Sequence, residues 1–343
     1  MKKNNLGSSD LMVSEICLGS MTFGEQNTEA EAFKQLDYAI QNGINIIDTA
    51  EMYPVPAKGE TQGSTEQFIG NWLKQSGKRN DIVLATKVVG PGYKHIRNGA
   101  KFNKQEISEA LEGSLKRLQT DTVDLYQLHW PERKANRFDK AEYDHDDNDP
   151  WVENFVEILE TLDAKIKEGK IRHYGLSNET PWGIMKYTQL AEKHNLPKPV
   201  SLQNPYHLMN RTLDVGISEV CHRENIGVLP YSPLAFGALS GKYLQGEVEG
   251  ARLTEFRNFR RFLNPNAIEA TRKYVNLANS IGVTPSQLAI KFVLDRKWNS
   301  SCIIGATSTS QLEENIKSSD ITLTEEVYKE INEIHRMHCN VGA

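Results

Sequence analysis

The chain is poor in cysteine, and no two cysteines lie close together. Cys17, Cys221, Cys302 and Cys339 form no C-x-x-C pair, which argues against a disulfide framework or a zinc ribbon and fits a reducing compartment. A run of 18 apolar residues is also missing, so no membrane-spanning helix is expected. The two lysines of the "MKKNNLGSSDLMV" start have no apolar segment behind them, so no targeting signal is expected either. Nor is there a basic block: 40 basic and 45 acidic residues are spread along the 343 and leave a formal charge of -5, a poor match to nucleic acid. Internal repeats and low-complexity segments are absent. What remains is the expectation of a soluble, cytoplasmic chain, unattached to membrane or nucleic acid.

What is present is a regular alternation. Short β-branched runs are each followed by a stretch of helical spacing: "EICLGS" and "EAEAFKQLDYAIQNG", "INIIDTA" and "STEQFIGNWLKQSG", "DIVLATKV" and "NKQEISEALEGSLKRL", "TVDLYQLHW" and "WVENFVEILETLDAKIKEG". Four more pairs follow, from "IRHYGLSN" through "VSLQNPY" and "IGVLPYSPL" to "SCIIGAT" with "STSQLEENIKS"; "IGVLPYSPL" takes the helix "PSQLAIKFVLDRK". Eight such units in series predict a single (β/α)8 TIM barrel over residues 1–343. Gly43, Gly77, Gly169 and Gly227 fall at helix-to-strand turns, where a C-terminal cap favours positive φ. Before the first unit, "NLGSSDLMVSE" predicts a β-hairpin closing the bottom of the barrel. Three long loops, 90–103, 131–150 and 235–264, follow strands and belong on the C-terminal face, where barrels carry their chemistry.

On that face "INIIDTAEMY" places Asp48 at the end of an apolar strand and Tyr53 in the loop beyond it. The next two strands end on Lys87 and His129. Alone, a strand-end Asp is a turn residue and a strand-end His a structural one. Together on three neighbouring strands they suit proton transfer to a carbonyl oxygen. An ammonium at Lys87 would lower the pKa of the Tyr53 phenol, Asp48 would keep that ammonium charged, and His129 would orient the carbonyl. Hydride must come from a cofactor, yet no G-x-G-x-x-G occurs, so a Rossmann site is not indicated, and no Y-x-x-x-K supplies the short-chain dehydrogenase arrangement.

Through "DTAEMY", "ATKV", "DLYQLHW", "GKIRHYGLSN", "QNPY", "YSPLAFGALSGKY" and "IIGATSTSQLEEN", the sequence resembles the aldo-keto reductases along essentially its whole length. It is most similar to the bacterial Tas-like branch, with potassium-channel β-subunits as more distant relatives. The resemblance implies that Tyr53 is the general acid, Lys87 and Asp48 its tuning pair and His129 the carbonyl-orienting residue. It also implies NADPH extended across the barrel mouth. Ser177, Asn178 and Gln203 would hold its carboxamide and Tyr231 would stack on the nicotinamide, with Gly19, Ser20 and Met21 beside it.

For the pyrophosphate the matching segment offers Ser232, Pro233, Leu234, Gly237, Ser240, Gly241 and Lys242. For the adenosine end it offers Gly305, Thr307, Ser308, Gln311, Glu314 and Asn315, at a helix start that favours anions. Many members of the family carry an arginine where this chain has Gln311, so Arg252, ten residues beyond Lys242, is the expected reader of the 2′-phosphate, and NADPH is expected in preference to NADH.

Met21, Phe23, Met52, Tyr93 and Trp130 are the expected walls of an apolar site for a small aldehyde or ketone. No metal is expected: His335, His338 and Cys339 of "HRMHC" have a spacing that can ligate zinc but read as a polar helix end. An NADP(H)-sensing protein with little turnover and an NADH-linked alcohol dehydrogenase stay open as alternatives. The sequence does not decide between a monomer and a homo-oligomer.

Overall fold

The computed structural model describes all residues except 137 and 139–141. Eight parallel strands form one sheet: β3 (Ile16–Gly19), β4 (Ile46–Asp48), β5 (Val83–Val88), β6 (Val123–Leu128), β7 (Ile171–Ser177), β8 (Ser201–Gln203), β9 (Gly227–Val228) and β10 (Cys302–Ile304). They pair in chain order, and β10 returns to β3. The circle is completed by parallel bridges Val228–Asn299 and Tyr231–Ile303, with the Ile303 amide donating to the Pro230 carbonyl at 2.8 Å. Closure leaves the sheet without an open edge.

Helices α1 (Glu29–Gln41), α2 (Ser64–Ser76), α3 (Lys104–Leu118), α4 (Phe155–Lys167), α5 (Pro181–Lys193) and α6 (Ile217–Arg223) follow β3 to β8 in turn. Helix starts are marked locally. The Thr28 side chain accepts from the Glu31 amide while the Glu31 carboxylate accepts from the Thr28 amide, a reciprocal cap at the head of α1. The long segment after β9 departs from the expected single loop. It holds α7 (Arg252–Glu255) and, unforeseen in the sequence, α8 (Pro265–Ser280), before the barrel helix α9 (Pro285–Leu294). Helix α8 is amphipathic, burying Ala267, Ala270, Tyr274 and Leu277, and starts on a Pro behind the capping Asn264. A rule of one helix per strand left no place for it. Helices α10 (Thr309–Ile316) and α11 (Glu325–Met337) finish the chain.

Side-chain parity divides the strands between two cores. Cys17, Ile46, Val83, Ala85, Leu125, Leu229 and Ile303 fill the barrel interior, whereas Leu18, Ile47, Leu84, Tyr126, Leu176 and Leu202 pack outward against the helices. A hairpin of β1 (Lys3–Asn5) and β2 (Met12–Ser14) plugs the bottom of the barrel by sending Leu6, Leu11 and Val13 into the interior cluster. At its turn Gly7 has φ +55°, and a Cβ there would lie 2.3 Å from the Val200 carbonyl oxygen and 2.6 Å from the Gly227 nitrogen.

Gly227 is therefore not the helix cap expected of it. It opens β9 with no positive φ, and a Cβ on it would strike the hairpin at Gly7 and Leu6. Asn225, with φ 53°, makes the left-handed turn instead. Gly43, Gly77 and Gly169 do have positive φ. Among the described residues no helix is long and apolar enough to cross a membrane. Because the atoms around Gly7 are backbone and cannot swing aside, Gly7→Ala is expected to destabilise the chain by about 1–3 kcal/mol, measured by chemical denaturation.

Candidate active site

The parity that fills the barrel also aims its polar strand ends. Along β4, Ile46 points in, Ile47 out and Asp48 in. Along β5, Val83 and Ala85 point in and so does Lys87; along β6, Leu125 is followed by Gln127 and then His129 on the same side. Three apolar strands thus each deliver an inward polar group to the same rim, and the Tyr53 loop lies over them, its aromatic ring in a small upper cluster with Met52, Val89, Ile96 and Trp130.

The groups meet at hydrogen-bond range. Lys87, with no exposed surface, places Nζ 2.6 Å from Asp48 Oδ2, 2.8 Å from the Thr49 carbonyl and 3.3 Å from Tyr53 Oη. The other carboxylate oxygen of Asp48 accepts from Gln127 Nε2 at 3.1 Å and Gln203 Nε2 at 2.8 Å. Burial works against the Lys87 charge, but Asp48 and then Tyr53 hold its pKa above the ordinary lysine value. The ammonium is therefore kept.

Tyr53 does not follow the sequence expectation. Lys87 does favour its phenolate, yet burial is the larger effect and Asp48 adds to it, so the phenol is pushed above 10. Its proton is held at neutral pH. His129 is pushed well below 6.5 by burial and then by the Lys87 charge, so its ring is neutral. It packs edge-on to Tyr53 with centroids 5.7 Å apart. Nδ1 of His129 is buried with no partner among the described residues. A proton there would be an unsatisfied donor, which assigns the proton to Nε2, on the cavity side.

Above these residues lies a cavity of about 1180 Å³, large for a single small substrate. Its walls include Gly19, Ser20, Met21, Asp48, Asn178, Gln203 and Tyr231 at the barrel mouth. Along the β9 loop it is walled by Ser232, Pro233, Leu234, Gly237, Ser240, Lys242 and Arg252, and at the start of α10 by Gly305, Thr307, Gln311, Glu314 and Asn315. Met52, Tyr93 and Trp130 are also on the wall.

Besides Lys87, which is buried beneath the cavity, four expected residues are not on that wall. Phe23 is wholly buried in the core between the sheet and helices. Ser177 is buried and donates to the Gln203 carbonyl at 2.9 Å, acting beneath the surface. Gly241 ends the turn at Ala235–Ser240 with φ +82°, and Ser308 caps α10 by accepting from the Gln311 amide. Gln311 itself folds back, its Oε1 accepting from the Thr307 amide at 3.0 Å and the Thr307 hydroxyl at 3.1 Å. Phe236, Phe259 and Ala306, which also line the cavity, were missed; Phe236 stacks on Phe259 with centroids 5.0 Å apart, a pairing across the loop with no local sequence signal.

Two cations on the wall have no carboxylate within 4.0 Å among the described residues: Lys242 and Arg252 do not occur in any such ion pair. Arg252 reaches Gln26 Oε1 at 3.2 Å and the Val55 carbonyl at 3.5 Å. Burial lowers its pKa to about 10, and burial together with the Arg252 charge lowers that of Lys242. The wall at this end favours an anion. No group of three His, Cys, Asp or Glu side chains that could hold a metal ion is found among the described residues; His335, near the end of α11, and Cys339, just past it, approach to 3.9 Å.

A protonated tyrosine hydroxyl beside a buried ion pair, at the mouth of a (β/α)8 barrel under a long cavity, makes a site able to transfer a proton. The chain belongs to the aldo/keto reductase family, whose profile matches residues 15–336, and it is an oxidoreductase of the Tas-like branch. It is 47% identical to protein tas of Escherichia coli (strain K12), over 98% of this chain and 99% of that protein. It is 33% identical to the uncharacterized oxidoreductase YrpG of Bacillus subtilis (strain 168), over 97% and 96%, and 39% identical to an aldo-keto reductase of Babesia bovis, over 74% and 95%. The family in general works with nicotinamide cofactors.

The buried pair carries a direct expectation. Removing one partner strands the other's charge, so Asp48→Asn or Lys87→Met alone should destabilise by about 3–5 kcal/mol. The double variant should lose less than the sum of the two, a coupling read from urea denaturation of all four chains.

Proposed function

We propose that the chain, acting as one barrel domain in the cytoplasm, reduces small aldehydes or ketones to alcohols with NADPH, needing neither nucleic acid nor membrane. The observation that carries the reading is Lys87 Nζ between Asp48 Oδ2 and Tyr53 Oη, at 2.6 and 3.3 Å, with a neutral His129 beside them.

The cofactor reading is supported by the chemistry of the cavity wall. Asn178 and Gln203 line the barrel mouth with their amide nitrogens already donating inside the protein, which leaves side-chain carbonyl oxygens suited to accept from a carboxamide. Tyr231 offers a ring face, its hydroxyl donating to Asn178 Oδ1 at 2.6 Å. Lys242 and Arg252 supply the positive end that phosphates require, which favours NADPH. When bound, the reduced nicotinamide supplies the hydride to the carbonyl carbon.

The chain's own residues handle the proton. His129 Nε2–H donates to the carbonyl oxygen and orients it. As negative charge grows on that oxygen, the Tyr53 hydroxyl transfers its proton there, giving the alcohol and leaving a phenolate. The developing alkoxide is far more basic than a phenol, so a raised Tyr53 pKa does not obstruct this direction. Lys87, fixed in its charged form by Asp48, faces the phenolate at hydrogen-bond range and stabilises it until solvent returns a proton.

Three outcomes test the reading. Tyr53→Phe should lower kcat for an activated aromatic aldehyde by about 100- to 10,000-fold, while NADPH affinity, read from fluorescence titration, stays within a factor of about two; parallel loss of both would make the tyrosine structural. Because the acid must be protonated for reduction and its pKa lies above 10, the reduction rate should be level from pH 6 to 9 and fall only beyond about 10. Alcohol oxidation, which needs the phenolate, should rise with pH over that whole range; a reduction rate that falls between pH 7 and 9 would contradict the assignment. Arg252→Ala should weaken NADPH binding by about tenfold or more and NADH binding much less, whereas equal losses would remove Arg252 as a reader of the 2′-phosphate.

A further inference from the structure

Between Asp48 and Tyr53 stands a second acid, Glu51, which the chemistry above does not use. It is buried, with 3% of its surface exposed. Its backbone amide donates to the Lys87 carbonyl at 3.1 Å, and its carboxylate accepts from the Val89 amide at 3.0 Å. Both oxygens are also gripped by Arg97: Nη1 bonds Oε1, and Nη2 bonds Oε2 at 3.1 Å. Arg97 is held from behind by Glu106, at 3.4 Å from its Nε, and Glu106 also accepts from the Lys101 amide at 2.7 Å.

The loop that supplies Arg97 is in an unusual conformation. Arg97, Asn98 and Ala100 all adopt positive φ, 44°, 56° and 53°, which non-glycine residues hold only when their surroundings fix them. The same loop carries Tyr93 onto the cavity wall against Trp130, centroids 6.0 Å apart, and buries Ile96 and Ala100 in the small cluster that also holds Tyr53. One bidentate ion pair therefore ties the proton-donor loop to the loop that shapes the substrate end of the cavity.

We infer that Arg97 and Glu51 are positioning residues that set Tyr53 relative to the carbonyl and Tyr93 relative to the rest of the substrate. The inference rests on the carbonyl-reductase reading and adds a determinant of substrate placement to it. Neither side chain touches the reacting atoms. A planar guanidinium fixes both the distance and the angle between the loops, which a single-point ammonium cannot do.

The test uses full-length Arg97→Ala, Arg97→Lys and Glu51→Gln with an aromatic aldehyde and NADPH. Arg79→Ala serves as comparator, because it breaks the part-buried Arg79–Asp124 pair at 2.9 Å near the start of β5, at the other end of the strand from Lys87. Arg97→Ala should raise KM and lower kcat, cutting kcat/KM about 100-fold, with NADPH affinity within a factor of about two. Hydrogen exchange should quicken in residues 90–103. Millimolar guanidinium should restore part of the Arg97→Ala rate, and Arg97→Lys should fall between wild type and Ala. Arg79→Ala should lower Tm with kcat/KM unchanged.

If Arg97→Ala behaves like Arg79→Ala, losing stability alone, the ion pair is structural and the inference is overturned while the reductase reading stands. If NADPH affinity falls in step with kcat/KM, the pair acts on cofactor binding and the inference is likewise overturned. If the wild type itself does not reduce any carbonyl, the functional reading fails and takes the positioning role with it.

Discussion

An ammonium with no exposed surface, 2.6 Å from a nearly buried carboxylate, is the constraint on which the top of this barrel depends. Taking two charges out of water costs several kcal/mol per ion, and attraction alone rarely recovers that. Here the pair is bonded on all sides: Lys87 also donates to the Thr49 carbonyl and Tyr53, using all three of its donors, and Asp48 also accepts from Gln127 and Gln203. Gln203 donates to Gln127 as well, at 3.0 Å. An apolar pair of similar volume would hold the barrel at least as well. What it could not do is stabilise a phenolate, which is the use the proposed function gives to a charged pair in the middle of an apolar interior.

The same economy organises the cavity. At the barrel mouth the charges are paired and the titrating groups sit at pKa values that keep Tyr53 protonated and His129 neutral. At the far end, burial lowers the pKa values of Lys242 and Arg252, and the Arg252 charge lowers that of Lys242 further. One end presents a tyrosine hydroxyl beside a buried ion pair and the other two cations suited to an anion. Between them the tyrosine loop is fastened below by Lys87 and, through the Glu51–Arg97 pair, at its side to the loop that carries Tyr93.

Much of this was legible in the sequence because it follows from period-two alternation on apolar strands. Once "INIID", "DIVLATK" and "VDLYQLH" are aligned as parallel strands, the inward parity of Asp48, Lys87 and His129 is forced. Three-dimensional balances were less visible. The direction of the Tyr53 shift depends on burial set by Met52, Val89 and Trp130, which come from three different loops. Phe23 looks like a pocket residue beside Met21, but the turn that exposes Met21 buries Phe23. Gly227 looks like a cap because glycine suits caps, yet it is required by the approach of the hairpin 220 residues earlier in the chain. Helix α8 was missed because it breaks the one-strand, one-helix rule. Glu51 was visible as an acid in "DTAEMY", but nothing local points to its partner 46 residues away.

The central claim is that hydride reaches a carbonyl carbon in this cavity while Tyr53 supplies the proton to oxygen. The most direct measurement is a single turnover with NADPH deuterated at the transferring position of its nicotinamide, run in ordinary water, with the alcohol product analysed by mass spectrometry and NMR. The account predicts one deuterium on the carbinol carbon and none on oxygen, formed at the rate at which the cofactor's fluorescence disappears. Tight NADPH binding with no labelled alcohol from any aldehyde or ketone would contradict it.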